Sequence, residues 1–283
     1  MKSPPFDYVR ARSPGEVFDL LDEKAADARI LAGGQSLLAT LALRLSEPSL
    51  LIDISVLAEL RFIEERGAAI HIGALARHRE LEKSPLLAEK LPLIAQAMPH
   101  VAHPAIRNRG TIGGSLALAD PAAELPACML ALDATIVLAS RTGERRVRAA
   151  DFFQGMYQAD IKPGELLVRV EITPQDRAWR FHFAEFSRRR GDYAMVGLAA
   201  GCRKAGARAE ELRLVFFGCG DRPTRAHAAE VAGLRPPAGE RYAALRSALE
   251  KDLTPQADPN ASATTRMHLA AVLADRALGA LAN

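Results

Sequence analysis

Two pairs of adjacent glycines, eighty positions apart, constrain this chain more than any other feature of its sequence. The first pair is Gly33-Gly34 and the second is Gly113-Gly114. Adjacent glycines let the backbone turn through conformations that other residues avoid, and they place no side chain before an approaching group. Backbone N–H groups in such turns can converge on an anion. Two loops of this kind are therefore expected to hold a pyrophosphate, and hence a dinucleotide, between them.

The residues after the first pair have the spacing of an amphipathic helix. Leu37, Leu38, Leu41 and Leu45 recur at helical intervals, so a helix is expected to begin just after Ser36 and to add its dipole to the attraction for an anion. Neither G-x-G-x-x-G nor G-x-x-x-x-G-K-S/T occurs, so the usual NAD and P-loop interpretations lack support. One Gly-Gly pair alone is equally compatible with a tight, packed turn.

Composition is that of an ordinary globular protein. The 283 residues are 49% hydrophobic and 25% charged, which allows a core without disulfide or metal support. Lysine plus arginine exceed aspartate plus glutamate only as 37 to 34. The basic segments 145–148 and 188–190 have no interleaved stacking aromatics, so we expect solvated faces and no nucleic-acid partner.

Neither a metal site nor a transmembrane segment is expected. Cys128, Cys202 and Cys219 are widely spaced, with no Cys-x-x-Cys pair, so the chain should carry no iron–sulfur cluster of its own. His100 and His103 have no third ligand at metal-binding spacing. No apolar run approaches the ~20 residues that cross a bilayer, which favours a cytoplasmic protein.

The apolar pattern divides the chain into two parts. Strand-like and helical segments alternate up to a seam near residues 173–177, which is typical of an α/β arrangement, and the remainder predicts a small sheet covered by helices, an α+β unit. The predicted strands are 51–54, 69–73, 135–139, 166–172, 179–186, 194–200 and 212–218, and the predicted C-terminal helices are 242–249 and 264–281.

Longer segments around the glycine pairs resemble those of a known family. The strings 32–36 (AGGQS), 106–115 (IRNRGTIGGS) and 120–126 (DPAAELP) resemble the FAD-pyrophosphate loops of the medium subunit of aerobic carbon monoxide dehydrogenase and related xanthine dehydrogenase-family hydroxylases. A third block, 188–194 (RRRGDYA), resembles the family segment that approaches the isoalloxazine ring. The resemblance extends from residue 5 to residue 218 and is weaker beyond.

This resemblance implies an α+β chain with the FAD-binding fold of the vanillyl-alcohol oxidase type. Residues 1–175 would form the FAD-binding domain, with two α/β subdomains that meet near residues 55–60. Residues 176–283 would form a small C-terminal domain of sheet and helices.

The resemblance also implies a set of cofactor-binding residues. Glu124 would meet hydroxyls of the ribose or ribityl part, Ile161 would make an apolar contact, and Asp192 and Tyr193 would approach the flavin, with the Tyr193 ring covering one face. No residue of this chain is expected to be catalytic on the organic substrate. The implied pyrophosphate cradle comprises Ala32, Gly33, Gly34, Gln35, Ser36, Thr111, Ile112, Gly113, Gly114 and Ser115. Many relatives have Asn at the position of Ser115, so backbone contacts are expected to matter more there than side-chain contacts.

The partners implied by the resemblance are two other subunits. A large subunit with a molybdopterin cofactor would hydroxylate the substrate, and a small subunit with two iron–sulfur [2Fe-2S] clusters would pass electrons to FAD on this chain. The complex would be a dimer of heterotrimers that reduces an external acceptor. Two alternatives remain at this point: a self-sufficient flavin-dependent oxidase or dehydrogenase, for whose substrate-binding cap the C-terminal third is small, and a non-enzymatic nucleotide-binding module.

Overall fold

Residues 7–53 form a parallel sheet with two helices. The computed structural model of the chain describes residues 2–24, 27–206, 208–235 and 240–282. The first helix begins where Ser13 Oγ accepts a hydrogen bond from the Glu16 N–H at 3.2 Å. The elements are β1 (Asp7–Arg10), α1 (Pro14–Lys24), β2 (Ala28–Leu31), α2 (Leu37–Ala42) and β3 (Leu50–Asp53). The strands lie in the order β1-β3-β2 and are all parallel.

Parallel pairing brings the carboxyl ends of these three strands to one edge of the sheet. β2 ends at Leu31, directly before the first glycine pair. β3 ends at Asp53, a buried carboxylate that accepts hydrogen bonds from the Tyr8 hydroxyl and the Ser55 N–H. Open α/β sheets bind ligands beyond the carboxyl ends of their strands, so the first glycine loop lies where a ligand is expected.

Helix α2 is shorter than its leucine spacing predicts. It begins directly after Ser36, as expected, but ends at Ala42, and Arg44 has a φ of 56°. Leu41 is fully buried, whereas Leu38 is 47% exposed and Leu45 is 74% exposed. The predicted helix is therefore confirmed at its start, but it ends before Leu45, where Arg44 takes the left-handed conformation.

The second unit is an antiparallel sheet with six helices inserted between its second and third strands in sequence. The elements are β4 (Ile63–Arg66), β5 (Ala69–Gly73), α3 (His78–Lys83), α4 (Pro85–Lys90), α5 (Pro92–Ala97), α6 (Pro104–Arg107), α7 (Ile112–Leu118), α8 (Glu124–Ala131), β6 (Thr135–Ser140), β7 (Gly143–Arg148), α9 (Ala149–Phe152), β8 (Phe153–Gly155), β9 (Gln158–Ala159) and β10 (Leu166–Ile172). The sheet order is β4-β5-β10-β6-β7, and β8 pairs with β9 separately. Seven of the eight residues of α8 are buried, so this helix lies at the centre of the unit.

The third unit is a four-stranded antiparallel sheet followed by three helices. Its elements are β11 (Trp179–Ser187), β12 (Ala194–Ala205), β13 (Arg208–Phe217), β14 (Thr224–Arg225), α10 (His227–Leu234), α11 (Arg241–Asp252) and α12 (Ala263–Ala282). The strands are hydrogen-bonded in sequence order. The predicted strands and helices of this part are confirmed, with β12 and β13 longer than their apolar stretches indicate.

Both faces of the third sheet are covered. Along β12, Leu198 packs into the core shared with α11 and α12, whereas the next residue, Ala199, packs into the core of the second unit. Phe183 and Phe217 face that second unit as well, with ring centroids 5.7 Å apart. Because side chains alternate between the faces of a strand, the sheet contributes to two hydrophobic cores, one on each face. Within the described ranges, no helix is long and apolar enough to cross a membrane.

Replacement of Gly197 tests the packing of this sheet. A Cβ at this position would lie 1.9 Å from Cζ of Phe217, so we expect Gly197→Ala to lower the free energy of unfolding by about 1–3 kcal/mol. The measurement is chemical denaturation followed by circular dichroism. Gly15→Ala is the control, because its Cβ would only touch Ser13 Oγ at 3.7 Å and helical Ala is favoured by up to about 1 kcal/mol. Equal stability of the two variants would contradict this packing.

Candidate functional site

The first glycine loop presents a row of unpaired backbone donors. The N–H groups of Gly33, Gly34, Gln35 and Ser36 donate to no acceptor within the described ranges of the chain. Gly34 has a φ of 72°, a conformation that favours glycine. The Gln35 side chain folds back and donates to the Gly33 carbonyl at 2.9 Å, which fixes the loop. Consecutive free N–H groups at the carboxyl edge of a parallel sheet suit an anionic ligand.

The second glycine pair lies in a helix and not in a turn, so this part of the sequence prediction is wrong. Gly113 and Gly114 belong to the first turn of α7, which begins after Thr111. Thr111 Oγ1 accepts from the Gly114 N–H at 3.1 Å, and the Ala74 carbonyl accepts from the Gly113 N–H at 2.9 Å. Glycine is needed at 113 for packing, because a Cβ there would lie 2.6 Å from the Cβ of Ala74. The Ile112 and Ser115 N–H groups are paired too, so this segment offers fewer free donors than the first.

The two glycine segments are in direct contact. A Cβ on Gly33 would lie 2.3 Å from the carbonyl oxygen of Arg109, and a Cβ on Gly114 would lie 4.0 Å from the Cβ of Ala32. The fold thus brings together the first glycine loop and the start of α7, which belong to different units. Residues 32–36 and 111–115 occupy neighbouring positions, as a shared pyrophosphate requires.

A cleft of about 270 Å³ opens on one side of this contact, between the first and second units. Its lining residues are Ala32, Gly33, Ser55, Val56, Arg61, Leu75, Arg77, Arg109 and Thr111. Arg61 is paired with Glu80 at 2.7 Å, whereas the guanidinium groups of Arg77 and Arg109 have no hydrogen-bond or ion-pair partner among the described residues. Two unpaired cations beside free N–H donors make this cleft positively charged.

A larger, open cavity of about 820 Å³ lies near the other end of α7. It is lined by Ala117, Asp151, Gln154, Tyr157, Gln158, Ala159, Asp160 and Ile161. Ile161, predicted as an apolar contact, lies in this wall. Tyr157 has a φ of 56°, is 58% exposed, and donates its N–H to the Ala119 carbonyl at 3.2 Å. This backbone conformation holds an exposed aromatic ring at the cavity.

Glu124 is the first residue of α8 and lies in an acidic environment. Burial raises the pKa of its carboxyl group to about 7, and the carboxylates of Glu185 and Asp120 act in the same direction. Burial also raises the pKa of Asp120, although that carboxylate accepts the Ala122 N–H at 2.9 Å. Partial burial followed by the negative charge of Asp120 raises the pKa of Tyr193. Glu124 and Tyr193, predicted separately, therefore share one electrostatic environment.

Asp192, which directly precedes Tyr193, is exposed. It lies in the exposed connection between β11 and β12, where its N–H donates to the Arg189 carbonyl at 3.1 Å. The neighbouring Gly191 has a φ of 85° and packs against His103, because a Cβ there would lie 2.8 Å from the ring. His103 therefore has a packing role under this connection. No group of three or more potential metal ligands lies close together among the described residues.

The sequence interpretation missed several residues of these two environments. Arg77 lines the cleft, where its backbone forms an isolated antiparallel β-bridge with that of Thr111. Nothing in the local sequence of Arg77 indicates this pairing. Arg109 carried a signal, since it lies within the string 106–115 that resembles the family. Glu185 lies on an ordinary strand, and its proximity to Glu124 arises only when β11 packs against the second unit.

Comparisons with known proteins identify the family of the chain. Residues 4–175 match the family model of the FAD binding domain in molybdopterin dehydrogenase. The chain belongs to this family of FAD-binding subunits. Residues 181–281 match a second model, the CO dehydrogenase flavoprotein C-terminal domain.

Relatives of this FAD-binding subunit cover nearly its whole length. It is 36% identical over 279 residues to the nicotine 6-hydroxylase medium subunit of Paenarthrobacter nicotinovorans, which covers 98% of each chain. It is 45% identical over 200 residues, 71% of this chain and 68% of the relative, to the 6-hydroxypseudooxynicotine dehydrogenase complex subunit alpha of the same organism. The solved structure of carbon monoxide dehydrogenase from Hydrogenophaga pseudoflava superposes with a TM-score of 0.94 at 35% identity, covering 99% of this chain and 98% of that one.

These matches confirm the predicted fold class and the main functional interpretation. The chain is an oxidoreductase subunit, the medium FAD-binding subunit of the molybdenum hydroxylase family, and the self-sufficient oxidase is not supported. The free donors of the first loop and its glycine contact with the second segment fit the pyrophosphate of FAD. Which residues touch the cofactor stays a prediction.

Replacement of Gly33 tests the contact between the two segments. We expect Gly33→Ala to weaken FAD binding at least about tenfold, because its methyl group would push the first loop away from the Arg109 carbonyl. The measurement is fluorescence titration of the flavin-depleted protein. Gly220→Ala is the matched control, since its Cβ would meet nothing closer than 3.9 Å. Unchanged FAD affinity in Gly33→Ala would overturn the assignment of the cradle.

Proposed function

We propose that this FAD-binding subunit relays electrons from two iron–sulfur clusters of a small partner subunit to an external acceptor. A large partner subunit with a molybdopterin cofactor oxidises the organic substrate, and two such heterotrimers associate. Bound FAD supplies the redox chemistry, while this chain binds it, orients it and sets its electrostatic environment. The observation that carries the proposal is the third sheet: because its two faces are covered by α5 and α8 on one side and by α10 and α12 on the other, it is not a cap over a substrate cavity.

The residues that would hold FAD divide into three groups. The segments 32–36 and 111–115 hold the pyrophosphate, chiefly through the free N–H groups of the first loop. Arg77 and Arg109 lie beside these segments and add positive charge to the cleft. Ile161, Glu124 and Tyr193 surround the flavin half. This division is supported by the opposite placement of the two cavities relative to α7.

Partner subunits are supported by an exposed apolar surface at α2. Leu38, Leu43, Leu45 and Val56 are 47%, 57%, 74% and 51% exposed. Exposed apolar groups of this size on one small unit are typical of a surface that a partner covers. A cytoplasmic location is supported by the free state of all three cysteines, because disulfides form mainly in oxidising compartments.

Anaerobic stopped-flow spectroscopy tests the relay. We expect the isolated subunit to bind FAD without oxidising the organic substrate, and the assembled complex to reduce the same flavin rapidly. Flavin reduction of the lone subunit by substrate at the rate of the complex would rule out the relay.

Tyr193 offers a second test of the relay. Tyr193→Ala should alter flavin reduction or reoxidation in the complex, through ring position and solvent access, while leaving single-turnover substrate hydroxylation unchanged. Tyr193→Phe is the matched control, because it keeps the ring and should behave like the unmodified subunit. An equal loss of hydroxylation in Tyr193→Ala would contradict the proposed role.

A further inference from the structure

We propose that Glu124, Glu185 and His100 form a proton-binding cluster that takes up one proton from water when the bound flavin is reduced. The proposal rests on the proposed function, because it places Glu124 at the flavin half of the cofactor. It adds a property that this function does not require: coupling between flavin reduction and protonation of the protein.

A buried and incompletely paired carboxylate is the first support. The Glu185 side chain on β11 is only 3% exposed, and its Oε1 lies 3.4 Å from His100 Nδ1. Its Oε2 is buried without a hydrogen-bond partner. Within the described part of the chain no arginine or lysine pairs with it. A buried carboxylate without a cation is costly, and His100 is the basic side chain in contact with Glu185.

The cluster is connected to solvent through His100. The His100 side chain is 39% exposed although Glu185 is buried, so one side of the imidazole reaches water. Its ring packs on Phe183 with a centroid distance of 5.1 Å, which holds it against the carboxylate. An imidazole in this position can exchange protons between water and the buried acids.

Glu124 is the member whose charge changes near neutral pH. Burial raises its pKa to about 7, Glu185 and Asp120 add to the rise, and His100 opposes it. The titratable groups around Glu124 come from several elements. Cys128 lies one turn later on α8 and Asp120 lies before α8, with Tyr157 near Asp120. Glu185 lies on β11, His100 after α5 and Tyr193 before β12. None of these except His100 brings positive charge, so additional negative charge nearby favours protonation.

The direction of the coupling follows from the charges. Two electrons from the iron–sulfur partner and one proton from water leave the flavin with one added negative charge. That charge raises the pKa of a neighbouring carboxyl group further. Above pH 7 the Glu124 carboxylate then binds a second proton, which enters from water through His100 and leaves again on reoxidation. No bond other than the O–H bond of the carboxyl group forms or breaks in the protein.

The test is the flavin midpoint potential of the FAD-loaded full chain between pH 7.5 and 8.5. Each proton per two electrons changes the equilibrium tenfold per pH unit, which is about 30 mV. We expect two protons, about 59 mV per pH unit, for the unmodified chain and one proton, about 30 mV, for Glu124→Gln. Glu89→Gln on α4, whose side chain is 74% exposed, is the control and should match the unmodified chain. Equal slopes for Glu124→Gln and the unmodified chain would overturn the proposal.

A second measurement applies even if Glu124→Gln binds no FAD. Reduced-minus-oxidised infrared spectra of the unmodified chain at pH 8 should show a new carbonyl band of a protonated carboxyl group, and Glu185→Gln should diminish that band because the pKa of Glu124 falls. Absence of the band in the unmodified chain would also overturn the proposal. Both measurements use dithionite as the electron source, so their outcome is independent of whether the relay exists.

Discussion

The backbone contact between Gly33 and Arg109 is the constraint on which the site depends. A side chain on Gly33 would collide with the Arg109 carbonyl at 2.3 Å, so the parallel sheet and the helices of the second unit approach this closely only through glycine. Gly113 has the equivalent role within the second unit, where it lets α7 pack on Ala74. The two contacts keep the free N–H groups of the first loop beside Thr111, and they give Gly33 and Gly113 a packing role.

Electrostatics differ on the two sides of that contact. The cleft beside the loops holds the unpaired guanidinium groups of Arg77 and Arg109, whereas the region around α8 holds the buried acids Asp120, Glu124 and Glu185. A dinucleotide with an anionic pyrophosphate and an uncharged oxidised ring suits this division. Burial raises the pKa of Asp120 and Glu124, so the local negative charge is smaller than the number of carboxyl groups suggests.

The third sheet determines what kind of flavoprotein this is. Phe183 and Phe217 extend the core of the second unit, while alternate residues of the same strands pack under α10 and α12. Because both faces of this sheet are packed, neither is available to line a substrate cavity. The packing also places Glu185 against the second unit. This agrees with membership in a family of electron-transferring subunits.

Local sequence determined much of the fold. Strands β5 and β10 have the bounds that their apolar runs predict, and Ser13 begins α1 as its capping pattern indicates. These features are predictable because hydrophobic periodicity and helix capping depend on residues that are close together in the sequence. The resemblance of the strings around Gly33 and Gly114 to a known family implied FAD as the cofactor. Only the tertiary structure decided that Gly113 lies in a helix, that Arg77 reaches the cleft, and that Glu185 faces His100 and Glu124. Those features depend on contacts between residues far apart in the chain, and such contacts leave no periodic signal in the sequence.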